Sequence, residues 1–123
     1  MTTENKVMQS LPEHIKNILQ QFVDQSVKTY APHIRKIILY GSYARGDYSK
    51  DSDVDIMVLV DYPRESISDL DGRLSDIGYE LSFENDFLEI STLMQNIDFF
   101  NKWISAYPFY NNVNREGVEL YAG

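Results

Sequence analysis

Asp53 and Asp55 stand two positions apart at the mouth of an apolar run, Ile56-Met57-Val58-Leu59-Val60, while an earlier apolar run, Ile37-Ile38-Leu39-Tyr40, ends at Gly41-Ser42. Runs of this kind read as buried strands. Side chains alternate along a strand, so Asp53 and Asp55 project from one face and Val54, Ile56 and Val58 from the other. Two carboxylates held so close repel and raise one another's pKa unless a cation sits between them, and hard oxygen donors of this type suit magnesium. Gly41 allows close approach of the backbone to a ligand in conformations closed to other residues. Ser42 adds a hydroxyl beside N–H groups that can converge on a phosphate. The segment thus couples a triphosphate cradle to a magnesium platform, the equipment for attack on a nucleotide phosphorus. Gly-Ser and Asp-x-Asp each occur singly in ordinary turns. Their combination between two strand-like runs is what points to chemistry.

The elements that must position these residues are legible around them. Leu11, Ile15, Ile18, Leu19, Phe22, Val23, Val27 and Tyr30 form one apolar stripe at helical spacing. Ser10 and Glu13 match a capping box, so the spacing predicts a helix from about Leu11 to Tyr30, ended by Pro32. The first strand follows from Arg35 or Lys36. A short helix is expected after Ser42, closing near Gly46, and Tyr48 to Ser52 reads as a polar loop that delivers Asp53. Beyond Pro63, Ile67, Leu70, Leu74, Ile77 and Leu81 mark another helix, weakened at Gly72 and Gly78 by about 1 kcal/mol each relative to alanine. Phe87-Leu88-Glu89-Ile90-Ser91-Thr92-Leu93 reads as a third strand. Asp98 is placed to cap a short helix carrying Phe99, Phe100, Trp103 and Ile104, residues read as core or interface packing, with an adenine-stacking shelf as the rival reading. Pro108 opens a last turn or helix that Gly117 closes, and Val118-Glu119-Leu120-Tyr121 reads as a final edge strand.

Gly41-Ser42, ten residues, then Asp53-x-Asp55 entering an apolar strand is similar to the signature of the nucleotidyltransferase superfamily that includes DNA polymerase beta. The fuller pattern, met at Gly41, Ser42, Ala44, Arg45, Gly46, Ser52, Asp53 and Asp55, resembles its smallest members, the minimal nucleotidyltransferases of prokaryotes. The segment Pro108-Phe109-Tyr110-x-Asn112-Val113-x-x-Glu116-Gly117-Val118 resembles the tail of many such proteins. The resemblance implies an α/β (α+β) fold, a small mixed β-sheet with helices packed on one face. It implies Mg2+, two ions in the full mechanism, and ATP as the nucleotide. Asp53 and Asp55 then serve as metal-binding and catalytic residues, Gly41 and Ser42 hold the triphosphate, and Arg45 touches either the triphosphate or an acidic neighbour. Superfamily relatives carry a third carboxylate on the third strand. By alternation Phe87, Glu89 and Ser91 share the catalytic face, which favours Glu89. Asp86 is the rival, reaching that face through a one-residue shift or bulge. Stand-alone members of the family commonly pair with a small helical HEPN-domain toxin, and several act as its antitoxin by moving AMP onto a tyrosine of that toxin.

Composition bounds these readings. A length of 123 residues is that of one domain, 1–123, with 43% hydrophobic residues for a core. That length leaves no room for an appended acceptor-holding module, so a partner protein is expected to present the acceptor. A net charge of −8 and a pI of about 4.6 argue against a nucleic-acid acceptor, which needs clustered basic surface. Zero cysteines fit a reducing cytoplasm. No apolar run reaches the ~20 residues that span a bilayer, and the start Met1-Thr2-Thr3-Glu4-Asn5-Lys6 lacks the apolar region of a signal peptide, so no membrane is expected. His14 and His33 lack ligand partners nearby and read as surface or packing residues. Two other functions compete: a binding module that neutralises its partner by contact alone, and nucleotide transfer to a small molecule of aminoglycoside type, with a homo-oligomer supplying the missing acceptor wall.

Overall fold

The apolar stripe after Pro12 folds into helix α2 (Glu13–Tyr30), with Ile15, Ile18, Leu19, Phe22, Val23 and Tyr30 buried. The structure, a computed structural model, describes residues 6–123, so of the polar start only Lys6 lies among the described residues. The expected capping box does not form. A residue before proline is pushed out of the α region, so the helix starts after Pro12, whose carbonyl accepts from the N–H groups of Ile15 and Lys16, both at 3.1 Å. Ser10 instead ends a short first helix, α1 (Lys6–Ser10), where its hydroxyl donates to the Val7 carbonyl at 2.9 Å.

Among the described residues, four strands make one mixed sheet in the order β3-β2-β1-β4. β1 (Ile34–Tyr40) pairs antiparallel with β2 (Val54–Val60) and with β4 (Val118–Ala122), the expected edge strand. β2 pairs in parallel with β3 (Ile90–Asn96). Parallel neighbours need a crossover, and helix α4 (Ile67–Glu84) supplies it. Between β1 and β2 lies the short helix α3 (Ser42–Arg45), as the sequence predicts.

Alternation sorts the sheet residues into two layers. Ile37 and Leu39 of β1, Val54, Ile56, Val58 and Val60 of β2, and Ile90 and Met94 of β3 pack against α2 and α4. Tyr30 ties these two helices together, its hydroxyl donating to the Leu70 carbonyl at 2.6 Å. Gly78 lets α4 lie close on β3, since a Cβ there would stand 3.2 Å from Thr92 Cγ2 and 3.4 Å from the Ile90 carbonyl oxygen. The opposite face carries Ile38, Met57 and Leu59, covered by Phe100 of α5 (Ile97–Trp103) and by Tyr110 and Val113 of α6 (Pro108–Glu116). The long helices share one face, and the second face, which bears the site, is partly roofed by these shorter ones.

The sequence reading and the structure also differ at both ends of β3. β3 starts at Ile90 instead of Phe87, because Asp86 and Phe87 adopt left-handed backbone, with φ of 57° and 61°, in the turn that ends α4. The Phe87 N–H donates to the Ser82 carbonyl at 2.8 Å and the Leu88 N–H to that of Asn85 at 3.1 Å. Left-handed backbone costs a non-glycine residue about 1–2 kcal/mol. At the other end of β3, Asn96 caps α5 in place of Asp98, its side-chain oxygen accepting from the Phe99 N–H at 2.9 Å. Among the described residues no helix is long and apolar enough to cross a membrane.

Candidate active site

The site grows from the two inner strands. Register sets Tyr40, the last residue of β1, opposite Asp55 of β2. The next residue, Gly41, has φ 79° and ψ −157°, a region open in practice only to glycine. A Cβ at this position would overlap Asp55 Oδ2 and lie 3.1 Å from its carboxyl carbon. Glycine is therefore required twice at position 41, for its backbone angles and for the absence of a side chain where the carboxylate lies.

The chain then turns into α3. The N–H groups of Ala44 and Arg45 both donate to the Gly41 carbonyl at 3.0 Å, and Gly46, left-handed at φ 86°, closes the helix with its N–H on the Ser42 carbonyl at 2.9 Å. With the Ala44 and Arg45 N–H groups taken by the Gly41 carbonyl, those of Ser42 and Tyr43 at the start of α3 are the ones left to meet an anion. The loop onward to β2 is fastened from both sides. Tyr48 stacks on the buried Tyr43 of α3 with ring centroids 4.5 Å apart. Ser49 and Ser52 bond reciprocally, the Ser49 N–H to Ser52 Oγ at 2.9 Å and the Ser52 N–H to the Ser49 carbonyl at 3.2 Å. Asp53 is delivered from a braced turn.

The two carboxylates sit in different surroundings. Asp53 is exposed and Asp55 is half-buried. Burial pushes the Asp55 carboxyl above its ordinary pKa, the Asp53 charge raises it further, and Arg45 pulls it partway back. This is the electrostatic state that a cation bound by both would relieve. Burial and then the Asp55 charge push the neighbouring Tyr40 phenol up to about 12.

Asp55, Tyr40, Gly41 and Arg45 line a pocket of about 410 Å³ closed by Phe109, Asn112 and Glu116 of α6. Phe109 meets the Tyr40 ring edge-on at 5.6 Å. Arg45 binds Asp47 at 3.3 Å and Glu116 at 3.5 Å, joining α3 to α6. A second pocket, of about 430 Å³, opens on the Asp53 side, and both Glu89 and Asp86 line it. Glu89 lies one step before β3, where its carbonyl accepts from the Val54 N–H at 2.9 Å. Parallel pairing of Val54 with Ile90 and of Asp55 with Ser91 sets Glu89 beside Asp53. Asp86 sits in the left-handed turn, off the strand. Among the described residues no three His, Cys, Asp or Glu side chains converge to hold a metal ion, so the geometry presents Asp53 and Asp55 as a pair, with Glu89 nearby.

Tyr40, Phe109, Asn112 and Glu116 as site walls were not evident from the sequence. Tyr40 directly precedes the glycine, which was a usable signal. The α6 residues recur at spacings of three and four, one helical face, and only the tertiary docking of α6 shows which way that face looks.

An acidic pair on a sheet face, set against a glycine turn that leads into a helix, is a site of the nucleotidyl-transfer class. The family model described as "Polymerase beta, Nucleotidyltransferase" matches residues 13–122, and the chain belongs to this family of nucleotidyltransferases. It is 36% identical over 103 residues, 84% of its own length and 94% of the relative's, to "Putative protein adenylyltransferase MJ0604" of Methanocaldococcus jannaschii. Its fold matches a crystal structure from Sulfolobus solfataricus described as a "putative nucleotidyltransferase", with a TM-score of 0.62 and 17% identity over 99% of this chain and 92% of that one. It also matches a chain in the crystal structure of a toxin-antitoxin with AMP-PNP, with a TM-score of 0.52 and 19% identity over 83% of this chain and 72% of that one.

Proposed function

We propose that this nucleotidyltransferase moves AMP from ATP to a protein hydroxyl, a tyrosine of a helical HEPN-type toxin, and so acts as the antitoxin of a pair. The observation that carries the reading is the fit of Gly41 against the Asp55 carboxylate, which sets the Gly41-Ser42 turn and the acidic pair at one point. The adenylyltransferase name of the M. jannaschii relative and the toxin-antitoxin neighbour support the nucleotide and the partner.

In this reading the triphosphate lies along Gly41 and Ser42, where first-turn N–H groups and the serine hydroxyl meet its oxygens. Asp53 and Asp55 would hold Mg2+, with Glu89 the third acid for a second ion, and the bound metal would supply positive charge against the triphosphate and the α-phosphorus. Asp55 must be ionised to serve, although its burial favours the protonated form. Arg45, tied to Asp47 and Glu116, adds positive potential at the edge of the same pocket. The acceptor hydroxyl approaches from the Asp53 side. Its oxygen bonds to the α-phosphorus as the bond to the pyrophosphate bridging oxygen breaks, and the hydroxyl proton is released. A phenol, with a pKa near 10, gives up that proton more readily than a sugar alcohol.

Incubation with labelled ATP, Mg2+ and the product of the adjacent gene tests the proposal. Label is expected on a tyrosine of that product, with a mass gain of one or more AMP units. Label entering tRNA or an aminoglycoside instead, or equal inhibition of the partner by the Asp53→Asn/Asp55→Asn variant, would contradict it.

A further inference from the structure

Three large aromatic residues stand out in solvent along one edge of the molecule: Tyr79 and Phe83, one turn apart on α4, and Phe87 in the turn after it, exposed by 71%, 68% and 74%. Phe83 and Phe87 touch, with ring centroids 5.4 Å apart. Phe87 has two further peculiarities. Its backbone is left-handed at φ 61°, the conformation a bulky residue avoids, so a glycine there would be easier to fold. Strain of this kind persists where a particular side-chain placement is needed, and it clusters at binding sites. Phe87 also belongs to two grooves at once. One is lined by Tyr79, Ser82, Phe87 and Glu89, and the other by Phe87, Glu89, Asp86 and Asp53. The two form a continuous track from the exposed aromatics to the catalytic carboxylates, on the side away from Gly41.

The charge along this track is mostly negative. From Leu74 to Asn101 the chain holds Asp76, Glu80, Glu84, Asp86, Glu89 and Asp98 and no lysine or arginine. Glu80, Glu84, Asp86 and Glu89 are exposed beside the aromatics. His14 and Lys50 also line the inner groove, beside Asp51, Asp53, Asp86 and Glu89. A second copy of a chain of net charge −8 is a poor occupant of such a rim.

We infer that the Tyr79–Phe83–Phe87 shelf with its acidic rim is the docking surface for the acceptor protein, and that it takes a segment whose tyrosine is flanked by lysine or arginine. Aromatic anchors supply contact area and the carboxylates supply selectivity and orientation. The inference rests on the proposal that the acceptor is a protein hydroxyl.

Its test uses copolymers of lysine with tyrosine and of glutamate with tyrosine as acceptors for label from ATP. The wild type is expected to label the lysine copolymer at least about tenfold faster than the glutamate one, the scale of a displaced anchor or a reversed rim charge. Phe83→Ser/Phe87→Gly should raise KM for the lysine copolymer about tenfold or more while leaving Mg2+-dependent ATP binding and thermal stability at or above wild type. The Glu80→Lys/Glu84→Lys pair should shift the preference toward glutamate. Unchanged KM in the first variant together with unchanged preference in the second would overturn the docking surface while leaving protein adenylylation standing. A variant that changes the protein from dimer to monomer in sedimentation would reassign the shelf to self-association. Absence of tyrosine labelling in both copolymers and in the adjacent gene's product would remove the protein acceptor, and this inference with it.

Discussion

Gly41 and Asp55 constrain one another directly, because a side chain at position 41 would take the space that the carboxylate fills. Gly41→Ala must move either the turn or the carboxylate, and it also forces alanine into backbone angles reserved for glycine. Mg2+-dependent ATP binding measured by calorimetry should weaken by tenfold or more, about 1.4 kcal/mol, with the circular dichroism spectrum retained. The raised pKa of Asp55 makes a second prediction. A group whose folded pKa lies above its unfolded value adds stability that is fully present below the unfolded pKa, ~3.9 for aspartate, and is lost as pH rises through the folded value. In EDTA at neutral pH, Asp55→Asn should therefore melt higher than wild type, and the gap should close on acidification below about pH 4. A wild type that melts higher than the variant at neutral pH in EDTA would show that Asp55 is already compensated by the protein.

At the scale of elements, the sequence carries the site's two strands and its turn almost to the residue, because alternation, a glycine and a serine leave few other readings. Asp53 and Asp55 lie on the face expected from period two, with Val54, Ile56 and Val58 opposite. The start of β3 was less legible. Phe87 and Leu88 look like strand residues, and no glycine or proline marks the turn, yet Asp86 and Phe87 both take positive φ. The capping box at Ser10 failed for a comparable reason, a local rule overridden by the constraint of the proline beside it. Alternation nonetheless survives into the segment before β3. Glu89 falls beside Asp53 and Ile90 enters the core, whereas Asp86 remains in the turn. Glu89→Gln should slow transfer by orders of magnitude with little change in ATP affinity, the signature of a group needed mainly in the transition state. Asp86→Asn should leave single-turnover rates near wild type. The reverse pattern would mean that Asp86 reaches the metals through a rearranged turn.

Over the whole molecule, length and hydropathy indicate a sheet with packed helices, and the motif indicates what lies on it, but neither shows how α5 and α6 fold back. Those helices roof the second face of the sheet and bring Phe109, Asn112 and Glu116 to Asp55 and Arg45. Such contacts join residues about sixty positions apart in sequence, beyond the reach of local pattern. The charge balance does act at long range. A chain of net charge −8 repels a triphosphate, so the nucleotide should gain affinity only where a cation joins it to the acidic pair. Titration calorimetry of ATP into the wild type and into Asp53→Asn/Asp55→Asn, each with and without Mg2+, tests this most directly. Binding is expected for the wild type in Mg2+, with nothing above background in the other three titrations. Equal ATP affinity for wild type and variant in Mg2+, with the variant's fold intact by circular dichroism, would contradict it.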